Sequence, residues 1–86
     1  MAQMTMYTTS WCGFCRRLKS QLDREGIGYD EVDIERTPDA AKIVVEINGG
    51  NRTVPTVVYP DGSAAVNPSF AEVKTALAKA EAAPGV

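Results

Sequence analysis

An α/β fold, with four strands in one mixed sheet and helices on both of its faces, is predicted by three observations. The chain has 86 residues, 44 % apolar and 23 % charged. That length supports one domain, residues 1–86, burying about 60 to 65 % of the surface an unfolded chain exposes. Apolar spacing switches between the strand period and the helix period in the order βαβαββα. Turn-forming residues fall between those segments rather than inside them, at Gly26, at Asn48-Gly49-Gly50-Asn51 and at Pro60-Asp61-Gly62-Ser63.

Each element has a local reason. Met4 to Thr9 mixes β-branched, aromatic and sulfur-bearing residues and reads as a buried strand. A helix over about 13–25 follows, with Phe14, Leu18 and Leu22 on one face, Lys19 and Asp23 spaced to pair, and Gly26 as its stop. Ile27 to Ile34 is a half-exposed strand: Val32 and Ile34 face inward, while Glu31 and Asp33 form a solvated face that discourages edge pairing. Thr37-Pro38 is a helix start, with a hydroxyl for the cap and proline at the first helical position; Ala41, Val44 and Ile47 then share a face. Thr53 to Tyr59 and Ala64 to Val66 form a hairpin around the Pro60–Ser63 turn. Ser69 and Glu72 have capping-box spacing before a last helix with Phe70, Val73 and Leu77 inward, and 81–86 is expected to be a frayed tail around Pro84-Gly85. A right-handed crossover makes the first two strands parallel, and the hairpin adds two antiparallel ones.

Composition excludes several functions. The longest apolar runs, such as Ile43-Val44-Val45, are far too short to span a membrane. A net charge of −2 argues against nucleic-acid binding, which needs many phosphate-neutralising cations. Histidine is absent, which removes Cys-His and Ser-His-Asp catalysis and His-ligated zinc, and two cysteines alone cannot close a four-ligand zinc site, so no metal is expected. MAQMTMYTT has no basic and apolar signal pattern, so the expected location is the cytoplasm.

The two cysteines, Cys12 and Cys15, are concentrated in SWCGFCRR, between the first strand and the first helix. A sulfur at the start of a helix meets unpaired N–H groups and the positive end of the helix dipole, and both stabilise a thiolate. Cys12 is therefore read as the exposed, reactive sulfur and Cys15, one turn further in, as the sheltered one able to close a disulfide with it. Lowering a thiol pKa from ~8.5 to ~5.5 raises the thiolate fraction at pH 7 roughly thirtyfold, while a Brønsted slope of about 0.4 to 0.5 removes roughly fifteen- to thirtyfold of nucleophilicity. Attack is hardly faster, but the sulfur becomes easy to expel. That property suits a turnover catalyst of disulfide exchange; a structural disulfide is disfavoured in an unsecreted chain and would constrain little over so short a loop.

A second segment, Arg52-Thr53-Val54-Pro55-Thr56, puts proline at the start of a strand, where an N–H is dispensable. Either the Val54–Pro55 bond is cis, leaving the Val54 backbone free to pair with a substrate beside Cys12, or it is an ordinary trans proline opening an edge strand.

WCGFC after a strand, RTVPT some forty residues on, and this element order resemble the glutaredoxin branch of the thioredoxin fold over essentially the whole chain. Phe14 in the third motif position is glutaredoxin-like, where thioredoxins usually carry proline. YTTSWCGFCRRLK, YDEVDIE, NGGNRTVPTV, and DGS followed by NPS are most similar to the mycoredoxins, glutaredoxin-like proteins of mycothiol-producing actinobacteria. Two departures point away from glutathione: Thr9 stands where glutathione-dependent members usually have lysine, and Val66-Asn67-Pro68 replaces their Gly-Gly turn. The resemblance implies a thiol-disulfide oxidoreductase in which Cys12 attacks a mixed disulfide and Cys15 resolves it. Val54 and Pro55 would line the thiol groove, with Trp11, Phe14, Arg52 and Asn67 at its rim, Trp11 and Phe14 being readable as either core or groove. It further implies no permanently bound cofactor, mycothiol as co-substrate, NADPH as electron source through a mycothiol disulfide reductase, mycothiolated proteins or peroxidases as substrates, and a monomer. Two alternatives stay open: a thioredoxin-like protein disulfide reductase, and a dimeric iron-sulfur cluster carrier.

Overall fold

The first strand made is one of the two interior strands of the sheet. In the computed structural model, which describes residues 4–82, β1 (Met4–Thr8) lies parallel to β2 (Tyr29–Asp33) on one side and antiparallel to β3 (Thr56–Val58) on the other. β4 (Ala64–Val66) closes the far edge against β3, giving the order β2-β1-β3-β4. Three helices connect and cover these strands: α1 (Gly13–Arg24), α2 (Pro38–Ile47) and α3 (Phe70–Ala82). This is the mixed four-stranded sheet the apolar pattern predicts.

Alternation along β1 sends Met4, Met6 and Thr8 to one face, all buried, and Tyr7 to the other. The first face packs on α1 and α3 through Leu18, Leu22, Val57, Tyr59 and Val73. On the second, Ala40, Ala41 and Val44 of α2 meet Ile34, with Tyr7, Val32 and Val54 against them. Helices thus lie on both faces, and the cysteine segment follows the end of β1 and opens α1. No helix is long and apolar enough to cross a membrane among the described residues.

Several elements differ from the sequence reading. The inward row of α1 is Cys15, Leu18 and Leu22; Phe14, one residue round the first turn from buried Cys15, is 66 % exposed. Lys19 does not pair with Asp23. Its ammonium reaches across to Glu31 at 2.8 Å, and Asp23 instead accepts from the Tyr29 hydroxyl at 3.1 Å. β3 begins at Thr56 rather than Thr53, since residues 53–55 bend toward the cysteine segment. Thr37 occupies the N-cap of α2 without a side-chain hydrogen bond, and Pro38 opens the helix as expected. α3 continues to Ala82, so the predicted tail is helical at 81–82, and residues 83–86 lie outside the described ones.

Glycine is required at the ends of α1 and α2: Gly26 takes φ 71° and Gly49 φ 70°, left-handed values that side chains resist. The start of α3 carries the expected capping box, with Glu72 N–H donating to Ser69 Oγ at 3.1 Å and Ser69 N–H donating to Glu72 Oε1 at 2.8 Å. Ser69→Ala is expected to cost about 1 kcal/mol of unfolding free energy, read from the shift of a urea midpoint, with Ser69→Asp largely restoring it.

Edge strand β2 is acidic as predicted, but one of its carboxylates is tied down. Glu31 Oε2 accepts from Lys19 Nζ and from the buried Thr8 hydroxyl, both at 2.8 Å. The Lys19 hydrogen bond holds the Glu31 carboxyl below its ordinary range; partial burial opposes this and Thr8 assists. A carboxyl whose folded pKa is lowered stabilises the fold above its unfolded value, near 4.5, and loses that contribution as pH falls through the folded value. Glu31→Gln is therefore expected to lower stability at neutral pH and to flatten the acid-side loss; urea midpoints at about pH 6 and about pH 3 should converge relative to the parent.

Candidate active site

Cys12 is the N-cap of α1. Its extended backbone (φ −81°, ψ 109°) turns the chain from β1 into the helix, and its carbonyl accepts from Arg16 N–H at 3.2 Å. The turn is held by Cys12 N–H donating to the Thr9 carbonyl at 3.4 Å. The Cys12 sulfur accepts from the Cys15 backbone N–H at 3.1 Å, so a sulfur does the work a serine or aspartate oxygen does at other helix starts. Cys12 and Cys15 are joined by a disulfide, their Cα atoms 5.2 Å apart. In the reduced protein the same N–H group and the helix dipole bear on a thiolate at this position.

Exposure differs from expectation in degree. Cys15 is fully buried, but Cys12 is also only 5 % exposed rather than open to solvent. Its sulfur is covered by the bonded Cys15 on one side, and on the other the Val54 carbonyl oxygen lies 3.7 Å away. Only a narrow face of Cys12 reaches water.

The distant RTVPT segment does come to this sulfur. The Val54–Pro55 bond is cis, resolving the alternative that sequence left open. Pro55 is buried, and its carbonyl accepts from Asn67 N–H at 2.7 Å, which ties the β4–α3 connection to the same wall. Asn67 has φ 48°, a left-handed value that asparagine tolerates better than most residues.

Two hollows lie in the surface beside the fold's helices. One lies between α1 and the start of α3, lined by Phe14, Arg17, Asn67, Pro68 and Phe70. The other runs along α2 and the β2–α2 loop, and Arg52 lies in its wall. Trp11 and Phe14 are 67 % and 66 % exposed, so neither is core. Sequence reasoning missed Glu35, whose carboxylate accepts from Trp11 Nε1 at 3.2 Å. The two residues are 24 apart in sequence, and no local pattern links them. Arg16 and Arg17 are both exposed, Arg17 at the edge of the hollow between α1 and α3.

A dithiol/disulfide pair at the N-terminus of a helix, on a four-stranded thioredoxin-like sheet and facing a cis-proline wall, defines a thiol-disulfide oxidoreductase. The sequence model of the glutaredoxin family matches residues 4–63, and the chain belongs to that family. A candidate glutaredoxin of Mycobacterium tuberculosis is 59 % identical over 78 residues, covering 91 % of this chain and 93 % of its own length. Mycoredoxin 1 of Corynebacterium glutamicum is 46 % identical over 82 residues, covering 95 % and 98 %. Among solved structures, a glutaredoxin from Archaeoglobus fulgidus superimposes with a TM-score of 0.72 at 28 % identity, over 87 % of this chain and 85 % of that one.

Proposed function

We propose that this oxidoreductase removes a low-molecular-weight thiol, mycothiol, from mixed disulfides with proteins. The observation that carries the reading is the Cys12 sulfur at the α1 N-cap, 3.1 Å from the Cys15 amide nitrogen and beside the Val54 backbone. A thiolate so placed attacks the cofactor sulfur of a protein–S–S–R disulfide, forming Cys12–S–S–R and releasing the protein thiolate, which takes a proton from water. A second thiolate R–S⁻ then attacks the bound cofactor sulfur. This yields R–S–S–R and regenerates the Cys12 thiolate, which leaves readily because it is stabilised. In the dithiol route Cys15 attacks Cys12 instead, expelling R–S⁻ and leaving the intramolecular disulfide.

Support for mycothiol comes from the 46 % identity to Mycoredoxin 1, from Thr9 at the place of the usual glutathione-holding lysine, and from Val66-Asn67-Pro68. In this reading Val54 and Pro55 form the wall along which the thiol lies, with Trp11, Phe14, Arg52 and Asn67 around it. Reducing equivalents come from NADPH through a mycothiol disulfide reductase, the substrates are mycothiolated proteins and peroxidases, and the enzyme acts as a cytoplasmic monomer. Turnover of one mixed-disulfide substrate with mycothiol or with glutathione as the sole reductant tests it: mycothiol is expected to sustain turnover and glutathione to do so poorly. A preference for glutathione contradicts the reading.

A further inference from the structure

We infer that Trp11 is a stacking platform for a neutral, polyhydroxylated ring carried by the low-molecular-weight thiol, and that Glu35 is the positioning residue that holds it; the inference rests on the mixed-disulfide reading above. Trp11 is the single tryptophan of the chain, adjoins Cys12, and is 67 % exposed. An indole so exposed ordinarily samples several rotamers. Here its N–H donates to Glu35 Oε2 at 3.2 Å. The Glu35 backbone is itself held, because its N–H donates to Asp33 Oδ1 at 2.9 Å, in a turn where Arg36 N–H also donates to the Asp33 carbonyl at 3.1 Å. The indole, on the residue next to Cys12, is thereby restrained at little further entropic cost when a ligand arrives.

Glu35 also lines the α2 groove, about 720 Å³, together with Ile34, Pro38, Lys42, Glu46 and Arg52. Two carboxylates face two cations, so the wall has no net charge yet offers both acceptors and donors. Such a wall suits a neutral ligand whose hydroxyls both give and accept hydrogen bonds; a multiply charged peptide gains from one pair and is repelled by the other. Ile34 in this wall belongs to the apolar cluster on which Val54 packs, and the Val54 carbonyl lies 3.7 Å from Cys12 Sγ. A rigid aromatic face beside donors and acceptors fits a ring with an apolar C–H face and a hydroxylated edge.

The test compares mycothiol with N-acetylcysteine, which has the same reactive end and lacks the rings, as the thiol that discharges a mixed disulfide on Cys12. The parent protein is expected to show a KM lower for mycothiol by about tenfold, the scale of one aromatic stacking contact. In Trp11→Ala and Glu35→Ala that ratio should fall toward one. Glu35→Gln, which keeps a carbonyl acceptor for the indole, should restore most of it. Trp11 emission should change when mycothiol is bonded to Cys12 and stay constant with N-acetylcysteine. A ratio that persists in Trp11→Ala, or a parent ratio near one, overturns the inference while leaving the mixed-disulfide reading standing. Failure of mycothiol to support parent turnover overturns that reading, and the platform with it.

Discussion

Replacing Cys12 by serine is expected to reduce the release of mycothiol from a mycothiolated reference disulfide to the uncatalysed rate, a loss of ~10³ or more. Cys15→Ser should continue to turn over, because a second thiol can attack the cofactor sulfur without help from Cys15. The asymmetry follows from geometry. Cys12 Sγ sits at the helix N-cap and meets the Val54 wall, whereas Cys15 is wholly buried in the row that packs on the sheet. Stopped-flow or coupled measurement of both variants decides it: a Cys12 variant that still turns over sinks the assignment, and an inactive Cys15 variant that folds normally shows the dithiol route to be obligatory.

Leu22→Ala should cost roughly 2 to 5 kcal/mol, since Leu22 is completely buried between the sheet and α3 and its removal leaves a cavity there. In a domain of this size that lowers Tm by at least about 10 °C. Phe14→Ala, on the same helix, should change stability by less than about 0.5 kcal/mol, because that side chain is two-thirds exposed. Calorimetry on the pair separates the core row of α1 from its rim. Comparable losses in the two variants would mean that the helix is rotated from the arrangement described.

That contrast also marks what the sequence makes legible. Element order, the capping box at Ser69 and Glu72, and the cysteine at the start of α1 all depend on neighbours within a few residues, and all can be read locally. Phe14 could not be placed so simply. It and Cys15 are both in register with Leu18 and Leu22, and only the position of the sheet decides which turns inward. Lys19 had a local partner available in Asp23 and took Glu31, because a carboxylate on the neighbouring strand, already accepting from Thr8, lies within reach. The Trp11–Glu35 contact and the approach of Val54 to Cys12 span 24 and 42 residues and leave no trace in periodicity; the second is one of two readings of Pro55, and the first has no signal. The late start of β3 has the same origin, since residues 53–55 follow the site rather than the ladder.

The reactive pocket is assembled from segments far apart in the polypeptide: both sulfurs belong to the β1–α1 unit, and the Val54 carbonyl that Cys12 faces lies just before the β3–β4 hairpin. A nascent chain halfway through synthesis therefore carries its thiols without anything to choose their partners. In the proposed function, selectivity arrives only once Val54 and Pro55 have been made and β3 docks beside β1, so discrimination among disulfides is absent from a fragment that holds the thiols alone.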